Sequence, residues 1–231
     1  MTRSPFLCLV GLLAACAALA PAAGEEAASV PAASADPLPA GTYRLDKYHA
    51  SLIFRVDHLG FSYYVGRFSD FDAVLSLDPA EPSRARLDAV VRTDSLGLEN
   101  PPEGFRDTLL GPEWLDAAGH PEMRFQSKRV VVSGPDTARI EGDFTFRGVT
   151  RPLTLEARFN GGYAGHPYDP NARIGFSARA VLKRSEYGMT IGLPEPPFNM
   201  GVGDAVEVLI EAEFTGPAWK GAPAPQRNNN R

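Results

Sequence analysis

Residues 141–160 read EGDFTFRGVTRPLTLEARFN, and this stretch decides the fold. In its first half, with Ile140 just ahead of it, Ile140, Gly142, Phe144 and Phe146 fall on one side. Glu141, Asp143, Thr145 and Arg147 fall on the other. Leu153, Leu155, Ala157 and Phe159 then alternate with Thr154, Glu156, Arg158 and Asn160. A period of two over such a length marks strands with one dry and one wet face. Gly148 supplies permissive backbone and Pro152 cannot donate to a ladder, so the reversal is expected within residues 147–152. The stretch is a hairpin carrying a long apolar stripe.

Working outward, the rest of the folded region repeats the design. Residues 41–45 form a short first strand. Leu52, Phe54, Val56 and His58 share one face of the next, and Phe71, Ala73, Leu75 and Leu77 keep step after it. Phe68 and Phe71 lie three apart, which breaks parity and predicts a bulge near Ser69. Residues 84–91 make a further strand, and Met123 and Phe125 point together in residues 122–132. Residues 161–172 read as a glycine-rich loop and 183–200 as a long insertion. Around that insertion, Ile174, Phe176, Ala178, Ala180 and Leu182 alternate, as do Val206, Val208, Ile210, Ala212 and Phe214.

Residues 100–121 break the period. Pro101 and Pro102 can open a helix, and Phe105, Leu109 and Leu110 have helical spacing, so a short helix is expected over 103–110. A turn holding Trp114 and Leu115 follows. About eight strands without alternating long helices exclude a parallel sheet. The expected fold is all-β: an eight-stranded antiparallel lipocalin-like barrel with a short helical excursion. Closure removes exposed edges, and eight strands leave room for one small ligand. An outer-membrane barrel would need apolar faces outward, but the polar faces here are dense in charge.

The flanks differ in kind. Residues 1–20 carry Arg3 and an apolar run over 6–15, the pattern of an export signal. Leu13-Ala14-Ala15-Cys16 resembles a lipobox, which would make Cys16 a lipid anchor; the rival is an ordinary cut near Ala22-Ala23-Gly24. Residues 21–40 read as a disordered tether and 216–231 as a disordered tail. The chain is thus expected in the periplasm or secreted, or held on the outer membrane as a lipoprotein. The charge of −5 is interspersed, and without a basic block nucleic acid is not an expected partner. Both cysteines, Cys8 and Cys16, lie in the leader, so the fold has no disulfide or cysteine metal site.

At this point a resemblance enters. Tyr43-Arg44-Leu45-Asp46 with His49, Phe54-x-Val56-x-His58-x-Gly60 and Gly66-x-Phe68 resemble the opening of the YceI-like family. Arg106-Asp107 resembles its Arg-Asp pair, and residues 142–152 (GDFTFRGVTRP) its most distinctive run. Arg184-x-x-Tyr187-Gly188 and Val202-Gly203-Asp204-x-Val206 resemble its close. The match spans residues 41–215. It implies a lipocalin-like barrel that binds polyisoprenoids or other long-chain amphiphiles, a quinone or fatty amide among them. Two positions depart from the family pattern. Ala50 stands where Ser follows the first His, and Leu109 replaces a His after the Arg-Asp pair.

Candidate ligand-binding residues are Phe54, Val56, His58, Phe68, Phe71, Arg106, Asp107, Trp114, Phe125, Phe144, Phe176, Arg184 and Tyr187. His58 shares its strand face with Phe54 and Val56, so it is either a satisfied core histidine or a polar contact for a ligand head. Arg106 and Arg184 are either structural or forks for a phosphate or carbonyl oxygen at the mouth of the tube. The four histidines show no HxH or HxxxH spacing, so no metal is expected. No GxSxG run exists for a nucleophilic serine. No cofactor is implied. At about 0.8 kcal/mol per buried carbon, one isoprene unit is worth roughly 4 kcal/mol before costs. A few such units reach micromolar affinity after ordering losses, so a barrel can hold a prenyl chain mainly through its wall, with modest help from polar groups. A lipid-modifying enzyme using His58 and Arg106, or a filled-barrel interaction or stress-response module, are the alternatives. Homodimerisation and membrane contact through Cys16 or lipid exchange stay open.

Overall fold

The computed structural model describes residues 37–197 and 199–219. The leader, Cys16, most of the tether and residues 220–231 of the tail lie outside them, while residues 216–218, expected in the tail, continue the last strand. Ten strands form one sheet: β1 (Gly41–His58), β2 (Ser62–Phe68), β3 (Phe71–Leu77), β4 (Arg86–Arg92), β5 (Leu96–Leu98), β6 (Glu122–Val132), β7 (Thr137–Phe146), β8 (Val149–Tyr163), β9 (Asn171–Lys183) and β10 (Val202–Ala218). Helix α1 (Phe105–Leu110) is the single α-helix among the described residues.

The sheet closes on itself because β1 pairs with β10 as well as with β2 and β3. The 18-residue β1 is long enough to use its first part on β3 and its last part on β2. β2 and β3 are thus one broken strand, interrupted at Ser69 and Asp70 where the parity of Phe68 and Phe71 requires it. β4 and β5 are broken in the same way. Counted like this, the barrel has eight antiparallel strands, as expected.

Some boundaries differ from the sequence reading. The expected separate strands 41–45 and 50–58 are one strand with an irregularity between Leu45 and Ala50. The reversal of the central hairpin is confined to Arg147 and Gly148, both at positive φ, and Pro152 lies within β8 opposite Asp143. Type I′ geometry of this kind matches the twist of the strands it joins. The expected loop 161–172 is shorter, since β8 runs to Tyr163 and β9 starts at Asn171. Helix α1 starts two residues later than expected, after Gly104 at φ 72°.

Strand direction defines two ends. One holds both chain ends, Gly41 and Ala218, with the β3–β4, β6–β7 and β8–β9 connections. The other, the clamp end, holds His58, the excursion 99–121, the Arg147–Gly148 turn and the long loop after β9. At the clamp end β5 extends past the reach of β6, which begins pairing at Arg92. The excursion occupies that break in the wall. The apolar stripes face inward, so the inverted, membrane-spanning arrangement does not apply. Outward faces carry ion pairs such as the half-buried Arg55–Glu207 and the more exposed Arg129–Glu141.

Candidate ligand cavity

The barrel is not packed solid. A cavity of about 940 Å³ runs inside it, at the upper end of the range for small-molecule sites. Its wall is built from the predicted stripes. Leu52, Phe54, Val56 and His58 come from β1, Phe144 and Phe146 from β7, and Phe176, Ala178, Ala180 and Leu182 from β9. Small residues beside the phenylalanines explain the hollow: Ala178 and Ala180 leave volume that a Leu or Phe would fill. Exposed residues border the cavity at both ends, His58 at the clamp end and Pro79, Pro82 and Val132 at the other.

Of the candidate residues, Phe54, Val56, His58, Phe68, Phe71, Trp114, Phe125, Phe144, Phe176 and Arg184 line this space. Arg106, Asp107 and Tyr187 do not. The Arg106 guanidinium turns back to the wall, donating to the carbonyls of Leu96 (2.8 Å) and Asp94 (2.6 Å) and tying α1 to β5. Asp107 lies in the first turn of α1, where a negative charge suits the exposed N–H groups. Tyr187 is buried behind the wall against the rings of Phe144 and Phe146, at 5.7 and 5.5 Å. Burial pushes its phenol pKa up.

Arg184 is 2% exposed. It donates through Nε to Gly203 O (2.9 Å), through Nη1 to Met189 O (3.0 Å) and Ile191 O (2.8 Å), and through Nη2 to Val202 O (2.8 Å). The Trp114 ring lies 5.6 Å from its Cζ. Burial lowers its pKa, though a guanidinium keeps its proton. Asp204 accepts from the N–H and hydroxyl of Ser185, both at 2.9 Å, and fixes the entry to the loop.

Two elements of the site escaped the sequence reading. Arg147 donates to the carbonyls of Pro112 (2.9 Å), Trp114 and Tyr187 (3.2 Å), locking the excursion onto the central hairpin. Tyr64 lines the cavity beside Phe105, with ring centroids 5.9 Å apart. Counting back by twos from Phe68 would have placed it inside.

Folding also gathers a donor cluster that histidine spacing did not show. Asp46, His49 and Glu213 bring ligand-type atoms within 4.8 Å of one another. Arg173 already supplies the cation there, with Nη1 2.6 Å from Asp46 and 3.7 Å from Glu213. Its Nε also meets Asp169, which accepts the Tyr163 hydroxyl at 2.6 Å. The Arg173 hydrogen bond, helped by His49, holds the Asp46 carboxyl down at about 2. Burial, then the Asp169 contact, pushes the Tyr163 phenol up to about 12. This is a structural knot that pins the irregular part of β1 to β9.

Barrel and cavity together define a class: lipocalin-like antiparallel barrels with a hollow apolar interior. Within it, the YceI-like domain matches residues 43–214, and the chain belongs to that family. A UPF0312 protein of Pseudomonas fluorescens is 36% identical over 161 residues, 68% of this chain and 80% of that protein. The YCEI protein of Campylobacter jejuni superposes with a TM-score of 0.57 at 26% identity, over 70% of this chain and 90% of that one. A Saccharophagus degradans domain described as polyisoprenoid-binding shares the fold, with a TM-score of 0.55 at 13% identity, over 78% of this chain and all (100%) of that one.

Proposed function

We propose that this protein binds a long-chain amphiphilic lipid, a polyisoprenoid or a compound with a similar tail, by burying it in the barrel without turnover. The observation that carries this is the 940 Å³ cavity with its almost unbroken apolar lining. Water confined against such a wall is readily displaced by a hydrocarbon chain. The polyisoprenoid-binding description of the Saccharophagus degradans domain supports the same reading. Transport or sequestration follows from the chemistry of the guest, since a tail of this kind crosses water only when covered.

A lipid-modifying enzyme using His58 and Arg106 has less to work with, because Arg106 is held by backbone carbonyls away from the cavity. The setting we infer is the periplasm or the cell exterior, with membrane contact through lipid exchange or an acylated Cys16. This part rests on the leader sequence alone.

The test is occupancy. Native mass spectrometry of the purified protein should show an intact, unmodified lipid. Ala178→Phe should remove it while circular dichroism stays that of the barrel. Undiminished lipid in that folded variant would count against an interior site.

A further inference from the structure

Tyr64 is the feature that the apolar wall does not account for. It stands on β2 opposite Val56, two residues from the Ser62–His58 pair. Its ring lines the cavity, yet its hydroxyl is closed to solvent and has no hydrogen-bond partner. It is the single buried side-chain polar atom in that state among the described residues. Buried hydroxyls are paired in the great majority of cases, so an orphan on a ring that lines a binding cavity points to a partner supplied by the guest.

The surroundings fit this reading. His58, also on the cavity wall, pairs with Val202 on β10, and the carbonyl of Val202 accepts from Nη2 of Arg184. Tyr64 and His58 thus lie two rungs apart on the β1–β2 ladder, and Arg184 bonds the strand residue that pairs with His58, all at the clamp end. A guanidinium has five N–H groups. Four of those on Arg184 go to backbone carbonyls, which leaves one on Nη2. The opposite end is bordered by Leu38, Pro79, Pro82 and Val132 and by Asp136 and Thr137, whose side chains already meet Arg158 (3.4 Å) and Ser133 (3.2 Å).

We propose that Tyr64 Oη and the remaining Nη2–H of Arg184, with His58 at the mouth, receive an oxygen acceptor on the head of the bound chain. The guest is then a prenyl or similar chain ending in a carbonyl-type oxygen. It lies head toward the clamp end and tail toward Pro79 and Pro82. Because Oη is closed to solvent, the head reaches it through a small shift of the packing between Tyr64 and Phe105. This inference rests on the lipid-binding reading above and adds the polarity of the guest and the group that reads it.

The probe pair is farnesylacetone, a prenyl ketone, and the hydrocarbon in which its carbonyl is replaced by methylene. Both are delivered as cyclodextrin complexes to delipidated full-length protein, with binding followed by tryptophan fluorescence. Tyr64→Phe removes only the hydroxyl. It should bind the ketone roughly tenfold more weakly and the hydrocarbon unchanged. The ligand-free variant should melt no lower than the wild type, because an unsatisfied group has been removed. Equal ketone affinity in the two proteins, or equal loss for both probes, overturns the inference and leaves lipid binding standing. A lower melting temperature for ligand-free Tyr64→Phe also overturns it, since the hydroxyl would then serve the fold. Failure of the wild type to bind either probe removes the lipid-binding reading itself.

Discussion

Arg106, Arg147 and Arg184 all donate to main-chain carbonyls at the clamp end of the barrel, and none of their recorded hydrogen bonds goes to a carboxylate. The reason is local. Irregular backbone leaves carbonyls without ladder partners, and a planar fork of five donors can satisfy several at once. Lysine has three donors on one atom and cannot span the four carbonyls that Arg184 reaches. Arg184→Lys should therefore destabilise by on the order of 3 kcal/mol, read from urea denaturation. An effect within the error of that measurement would show that the loop is held elsewhere. The sequence revealed that these arginines exist, not what they do. Their partners are the carbonyls of residues 94, 96, 112, 114, 187, 189, 191, 202 and 203, which carry no side-chain signature and come into reach only through the topology.

At the level of strands and turns, alternation carried most of the information. The faces of β7, β8, β9 and β10 were legible because each apolar set is in phase over its whole length. Where phase breaks, as at residues 45–50, legibility fails. There the chain stays one strand, with its irregular part held by Asp46. That carboxylate accepts from Arg173 and from the N–H of Tyr48, and contacts His49. Its folded pKa of about 2 lies below the ordinary 3.8, so its contribution is complete above about pH 4 and is lost as the pH falls through 2. Asp46→Asn should cost on the order of 1–2 kcal/mol at neutral pH. The loss of stability between pH 4 and 2 should be shallower in the variant, as measured by denaturation at each pH. The β6–β7 ladder makes a second case. A Cβ added at Gly142 would press on the Gln126 carbonyl oxygen and lie 2.7 Å from Phe125 Cζ. Backbone cannot yield as a side chain can, so Gly142→Ala should destabilise by about 2 kcal/mol despite adding only a methyl group. A melting temperature equal to the wild type would contradict that contact.

For the molecule as a whole, the governing fact is that a barrel of this strand number has been left hollow. A filled interior would contribute dispersion contacts that this one lacks, so stability should depend on the guest. Saturation at a hundredfold excess over Kd should add about 2.7 kcal/mol. Delipidated protein should accordingly melt several degrees lower and recover when a prenyl chain is added. Identical melting curves with and without lipid would mean that no such linkage exists. Inward phenylalanines and alanines could be read from the sequence, but hollowness could not. The same residues pack solid or stand apart according to strand tilt and stagger, which depend on all eight strands together.

The route of the chain through the wall has one more implication. β1 departs from the end opposite His58 and β10 returns to it, so Gly41 and Ala218 themselves lie at the end of the barrel away from His58. A dye fixed directly at Gly41 or Ala218 would thus report on the barrel from the far rim and leave the rim around His58 unobstructed.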